Sequence, residues 1–179
     1  MKSRENIQTM TKIAAVTAIV VICAWISFPM PTGVSTTLQT FGIALCGFIL
    51  GPKLSAVSII LYWAMGAVGL PVFSSFSAGI GQFAGPTGGF LWGFLFLAVL
   101  CGVGERAQNK VILIALAILG LAICHFLGVI QFAALTERTW MESFVLVSVP
   151  YLIKDVASVA VAWLLGNRIT AALKKAKMA

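Results

Sequence analysis

Apolar residues in this chain come in long unbroken runs rather than in alternation with polar ones. Positions 13–28, 41–50, 54–68, 90–103, 111–134 and 152–165 are dominated by Ile, Leu, Val, Ala, Phe and Gly. None of these runs carries the period-two alternation of a membrane β-strand. None has the single polar face of a surface helix, and a helix apolar all round belongs in lipid or in a very large core. A chain of 179 residues has no such core for six helices. The pattern predicts an all-α membrane protein with six transmembrane helices in a single membrane domain, 1–179, with helices at about 11–29, 38–51, 53–69, 87–105, 110–134 and 150–172.

The interruptions are chemically specific. Phe28-Pro29-Met30-Pro31 stops the first helix, because proline cannot continue one. Gly51-Pro52-Lys53 makes a tight turn between the second and third helices, and Pro150 suits the first turn of the sixth. Trp140 and Phe144, beside Glu137, Arg138 and Glu142, suggest an interfacial stretch before it.

Composition agrees with lipid as the solvent: 60% of residues are hydrophobic and only 9% charged, where a soluble domain has about 25%. Charge then orients the chain. Ten of the twelve cations (Lys2, Arg4, Lys12, Lys53, Arg106, Lys110, Arg168, Lys174, Lys175 and Lys177) fall on one side of the six-helix scheme. The positive-inside rule predicts cytoplasmic N and C termini. The net charge of +7 is therefore a topology signal, and no basic stretch interleaved with aromatics points to nucleic acid. The first segment is too long for a cleaved signal peptide and lacks a small-residue cleavage site. Cys23, Cys46, Cys101 and Cys124 lie in apolar runs without metal-ligand spacing and read as small buried hydrophobes, and no metal site or cofactor is expected.

Candidate chemistry sits where polar groups interrupt the apolar pattern. Asp155 and Lys154 stand near the outer end of the sixth helix, and an ionisable residue inside a span is a functional hypothesis by default. Adjacent on a helix, they point about 100° apart and need not pair. His125 is the only histidine and is expected as a packed, hydrogen-bonded core residue, whereas Gln131 is equally suited to face a pocket or to cap one. Residues 70–89 form an outer segment without one charge. Non-helical backbone at membrane depth is tolerated where it is buried in protein or lines a cavity. Glycines such as Gly85 and Gly88 allow close backbone approach, Ser75, Gln82 and Thr87 offer neutral hydrogen bonds, and Phe73 and Phe90 offer apolar walls. That mixture describes a small-molecule pocket. The uncharged Pro29–Gln39 segment is placed to cover it. Small residues four apart recur: Gly47 with Gly51, and Gly85 with Gly89 and Gly93, suit internal helix packing, while Ala14 and Ala18 suit either packing or a partner protein.

The order of these features resembles one family. Thr37-Leu38-Gln39-Thr40, Gly51-Pro52-Lys53, Gly69-Leu70-Pro71-Val72-Phe73, Gly85-Pro86-Thr87-Gly88-Gly89-Phe90 and Pro150 with Asp155 together resemble BioY, the biotin-specific S component of energy-coupling-factor (ECF) transporters. The resemblance spans about residues 11–170. It implies a high-affinity biotin-capture subunit in a prokaryotic cell membrane, with an outward-facing site on the C-terminal half and a lid from the first outer loop. It implies as partners a membrane-embedded ECF coupling protein and two ABC ATPase subunits, with Ala14 and Ala18 contacting the coupling protein. It adds Gln39, Tyr151 and Ser158 to the candidate substrate-binding residues. Where the family commonly reads Asp-x-x-Lys, this chain has Ser158, leaving Lys154 to supply the cation. Biotin's chemistry fits the residues: a carboxylate such as Asp155 suits a ureido N–H, apolar walls suit the rings, and a cation such as Lys154 suits the carboxylate tail.

Other functions find less support. No G-x-x-x-x-G-K-[ST] sequence is present, so the chain cannot hydrolyse ATP by that route, and energy must come from a partner or an ion gradient. An intramembrane enzyme lacks a nucleophile–base set or ligand cluster, and no catalytic residue is expected. A solitary carrier would want more than one buried acid. An S component for another vitamin is the main alternative.

Overall fold

The structure, a computed structural model, describes residues 2–30 and 34–175, with side chains from Asn6 onward. Helix α1 runs over Lys2–Trp25, α2 over Gln39–Ala67, the one-turn α3 over Gly81–Ala84, α4 over Gly88–Arg106, α5 over Lys110–Thr136, α6 over Trp140–Val147 and α7 over Val149–Lys175. A two-residue strand pair, β1 (Ser27–Phe28) with β2 (Thr36–Thr37), is antiparallel and closes the loop between α1 and α2. Pro31, part of the expected stop, and Lys177, one of the orienting cations, lie outside the described residues. Helix α1 begins well before the apolar run does, and it ends at Trp25 because the residues after it enter the ladder.

Among the described residues, five helices are long and apolar enough to cross a membrane: Asn6–Trp25, Gln39–Ala67, Gly88–Arg106, Lys110–Thr136 and Val149–Lys175. The sequence pattern predicts six because it divides α2 at Gly51. That residue has φ 72° and ψ 176°, a conformation open to glycine and costly for other residues. Pro52 comes next, at the start of the second helical arm. Hydrogen bonding shows that the chain reverses here. Gln39 Nε2 donates to the Tyr62 hydroxyl at 2.5 Å, and in a straight helix those residues would stand about 34 Å apart. Helix α2 is thus a hairpin of two arms, 39–50 and 52–67.

Small residues set the helix spacing. A Cβ placed on Gly93 would lie 2.5 Å from the Cα of Cys124, and one on Gly89 would collide with the Leu127 carbonyl, so α4 and α5 meet backbone to backbone. Gly47 abuts Ala98 and Cys101, and Gly102 abuts the Gly51–Pro52 turn, which brings α4 against both arms of α2. Such close approach is how helices associate without a hydrophobic driving force between them. Thr17 on α1 and Ser58 on α2 share a buried hydroxyl contact at 2.7 Å.

The hydrophobic pattern does not predict helix α6, the β1–β2 pair or the one-turn α3, which lies in the segment expected to be non-helical. Thr139 and Glu142 form a reciprocal capping box at the start of α6. The Thr139 hydroxyl and backbone N–H hold the Glu142 carboxyl below the usual carboxylate range. Helix α6 ends at Ser148, which is fully buried, and α7 starts directly after it.

Candidate ligand-binding site

The end of the bundle that carries the β1–β2 loop, the 68–87 segment and the α6–α7 joint contains a cleft. It encloses about 750 Å³ of empty space counted out past its open mouth into solvent. Of the twelve residues expected at a substrate site, eight line it: Asp155, Lys154, Tyr151, Gln39, Phe73, Gln82, Thr87 and Phe90. Leu91, Phe94 and Leu121 complete an apolar floor.

The polar centre is built on α7 and α5. Lys154 Nζ stands 2.5 Å from Asp155 Oδ1. Their positions on the helix leave pairing open, and the two do meet, within reach of the four-carbon lysine stem. The contact is an ion pair rather than an aligned hydrogen bond, and Oδ1 has no aligned donor among the described residues. The Thr40 hydroxyl is also within reach of the carboxylate. On its other side, Asp155 Oδ2 lies 3.2 Å from His125 Nε2, and His125 Nδ1 lies 2.9 Å from Ser148 Oγ. His125 and Asp155 are each only 5% exposed, so this is a desolvated network in which every pairing is strengthened by its surroundings.

The segment beside β2 is tied to the same helix. The Tyr151 hydroxyl donates to the Val34 carbonyl at 2.5 Å, and Lys154 Nζ donates to the Thr37 carbonyl at 2.7 Å. Val34, Ser35 and Thr37 are among the lining residues, so the described part of the first loop borders the cleft.

The glycine-rich segment forms the opposite wall, and a side chain from α5 holds it. Gln131 Nε2 donates to the carbonyls of Phe83 at 2.8 Å and Gly85 at 2.7 Å. Gln131 is not among the residues lining the cleft; it holds the wall from behind by taking up carbonyls at the C-terminal end of α3. Phe83 stacks edge-on against Phe73 and Trp63, with ring centroids 5.6 and 5.9 Å apart, and so carries the aromatic packing into the bundle.

Four expected residues lie outside the lining. The Ser75 hydroxyl turns to Ser27 at 3.0 Å, and Ser74 faces the cleft in its place. Gly85 contributes its carbonyl to Gln131 rather than to the cleft. A Cβ on Gly88 would meet the Phe83 carbonyl and Gln131, which makes Gly88 a packing position. Ser158 is buried three residues beyond Asp155, about 4.5 Å further along α7 and away from the mouth. Ala14 and Ala18 are both exposed on α1. The sequence pattern does not identify His125, Thr40 and Ser148 as members of the site. The histidine is visible as a lone ionisable group in an apolar helix, whereas the hydroxyls carry no signal of their own. Cys124, which reads as a plain buried hydrophobe, lines the cleft and points its thiol at the Phe90 carbonyl, 3.7 Å away. Ser148 does not line the cleft.

Known proteins share this arrangement of helices. The BioY family model matches residues 1–175. The probable biotin transporter BioY of Pyrococcus horikoshii is 34% identical over 136 residues, covering 76% of this chain and 80% of that protein. The biotin transporter BioY of Thermotoga maritima is 40% identical over 114 residues, covering 63% and 67%. A 2.1 Å crystal structure of the S-component for biotin from an ECF-type ABC transporter superposes with a TM-score of 0.83 at 26% identity, covering 94% of each chain. With the family model matched across almost its whole length, the chain belongs to the BioY family.

Proposed function

We propose that this multi-pass membrane protein is the biotin-capture subunit, the S component, of an energy-coupling-factor importer. The observation that carries the proposal is the buried Asp155 in a cleft with mostly apolar walls, in a chain of the BioY family. A ureido N–H of biotin would donate to Asp155 Oδ1, the carboxylate oxygen without an aligned donor. The fused rings would lie against Phe73, Phe90 and Leu91. Gln39, Tyr151, Gln82 and Thr87 complete the proposed contacts. Ser75, Gly85, Gly88 and Ser158 support that wall and helix from behind.

Lys154 touches Asp155, so both address one end of a ligand whose ureido and carboxylate groups sit at opposite ends. An aspartate repels a carboxylate, so that end is the ureido end. Lys154 then donates to the ureido oxygen, and the acid tail points toward the mouth, which differs from the tail-binding role the sequence suggested.

In the proposed topology the two arms of α2 count separately, giving six spans in one domain. Both termini face the cytoplasm on this reading, supported by Arg106 against the Gly51 turn, Lys110 beside Asn167 of α7, and Lys174 and Lys175 in the last turn of α7, whose first turns border the cleft. The cleft opens outside the cell membrane of a prokaryote. Ala14 and Ala18 meet the membrane-embedded coupling protein. Two ABC ATPase subunits hydrolyse ATP, and this chain performs no catalysis of its own.

The test is a calorimetric titration of detergent-purified protein with biotin, with thiamine and riboflavin as controls. Tight binding of biotin alone is expected, and Asp155→Asn should weaken it by about tenfold or more with the protein still folded. Absence of biotin binding, or preference for a control vitamin, overturns the proposal.

A further inference from the structure

We infer that His125, backed by Ser148, is a positioning residue for Asp155: it fixes which carboxylate oxygen is presented to the ligand. The inference rests on the proposed contact between Asp155 and a ligand N–H, and it assigns the reason that contact has a defined direction.

A carboxylate can turn about its last bond and offer either oxygen. Here the two oxygens differ. Oδ2 is engaged by His125 Nε2 at 3.2 Å, while Oδ1 meets the Lys154 ammonium off-axis at 2.5 Å, with the Thr40 hydroxyl also near the carboxylate, and has no aligned donor among the described residues. An ionised carboxylate only accepts, so Nε2 carries the proton of that bond. Nδ1 of the same ring is held by the Ser148 hydroxyl, which can donate to it or accept from it, at 2.9 Å. Phe90 packs edge-on against the imidazole, with centroids 5.8 Å apart and planes at 88°, and stops it from tilting. The chain of contacts joins three elements: the α6–α7 joint through Ser148, α5 through His125 and α7 through Asp155. Two side chains thus orient the carboxylate.

The same three residue types in the same order would suggest a nucleophilic triad. Ser148 is fully buried and does not line the cleft, so its oxygen cannot reach a bound molecule. Orientation is what the geometry leaves for the pair to do.

The test uses full-length protein in detergent and a biotin titration. Binding by the unmodified protein comes first, and its failure would count against the proposed function rather than against the role of His125. His125→Leu should then weaken binding by about tenfold, the scale of one lost charge-assisted hydrogen bond. His125→Gln, whose amide can still donate to Oδ2, should recover most of that loss. On an Asp155→Asn background, His125→Leu should change affinity by less than about twofold, because the two act as one unit. Ser148→Ala should give a smaller loss that also vanishes on that background, and it carries the test if His125→Leu does not fold. Unchanged affinity in both His125→Leu and Ser148→Ala overturns the inference. So does a loss that persists undiminished with Asn at 155, or a Gln variant no better than Leu.

Discussion

Gln39 and Tyr62, on opposite arms of the α2 hairpin, are joined by a 2.5 Å hydrogen bond in a buried position, and Gln39 also lines the cleft. One bond therefore both closes the hairpin and shapes the site. Tyr62→Phe would leave the buried Gln39 amide without its acceptor. The expected cost is about 1 kcal/mol in thermal stability in detergent, with a several-fold loss of biotin affinity. An unchanged melting temperature together with unchanged affinity would show that the bond contributes to neither.

Gln131 satisfies two carbonyls of the 81–87 segment at once. Gln131→Leu keeps the volume and removes the side-chain donor from both carbonyls, leaving that of Gly85 with the Gly88 N–H at 2.9 Å. Faster amide hydrogen exchange across this segment is expected, with biotin binding weaker by about tenfold. Exchange confined to its original rate would mean that packing alone holds the wall.

Gly93 faces the Cα of Cys124 across the α4–α5 contact, with backbone rather than a flexible side chain on the other side. Gly93→Val must push the helices apart. Overpacking of this kind costs about 1–3 kcal/mol or more, so little folded protein should be recovered from membranes. Gly69→Ser is the control for the opposite case: its Cβ would meet nothing within 4 Å, although its φ of +99° still carries some strain.

Ala14 and Ala18 are exposed on α1 and lie outside the cleft lining. Replacing both with Trp should leave biotin binding within about twofold of the original, yet abolish uptake in cells that supply the coupling protein and ATPases. Survival of both activities would remove this face from the proposed contact.

What the sequence reveals depends on contrast. Asp155, Lys154 and the uncharged Gly-Pro-Thr segment stand out because lipid-like runs rarely contain them, and most of them meet in the cleft. The turn at Gly51-Pro52 stands out for the same reason. The pairings of Ser148 with His125 and of Gln131 with Phe83 do not. Their partners are 23 and 48 residues apart, and their meeting depends on how each helix is rotated about its axis. Runs that are apolar on every face give no rotational signal. Helix α6 escapes notice for a different reason. Its polar start reads as loop, although Thr139-x-x-Glu142 before an apolar stretch is a helix-start signature.

The reversal at Gly51 also bears on how the chain is made. An arm of twelve residues, 39–50, extends about 18 Å, well short of the roughly 30 Å hydrocarbon layer. Emerging from the ribosome by itself, it would be a poor stop for the insertion machinery, and its Gln39 amide would enter lipid unsatisfied. Once residues through Tyr62 have emerged as well, the two arms can partition together, with the amide already paired. Insertion of this part of the protein is thus expected to proceed by hairpin, with its timing set by synthesis of the second arm.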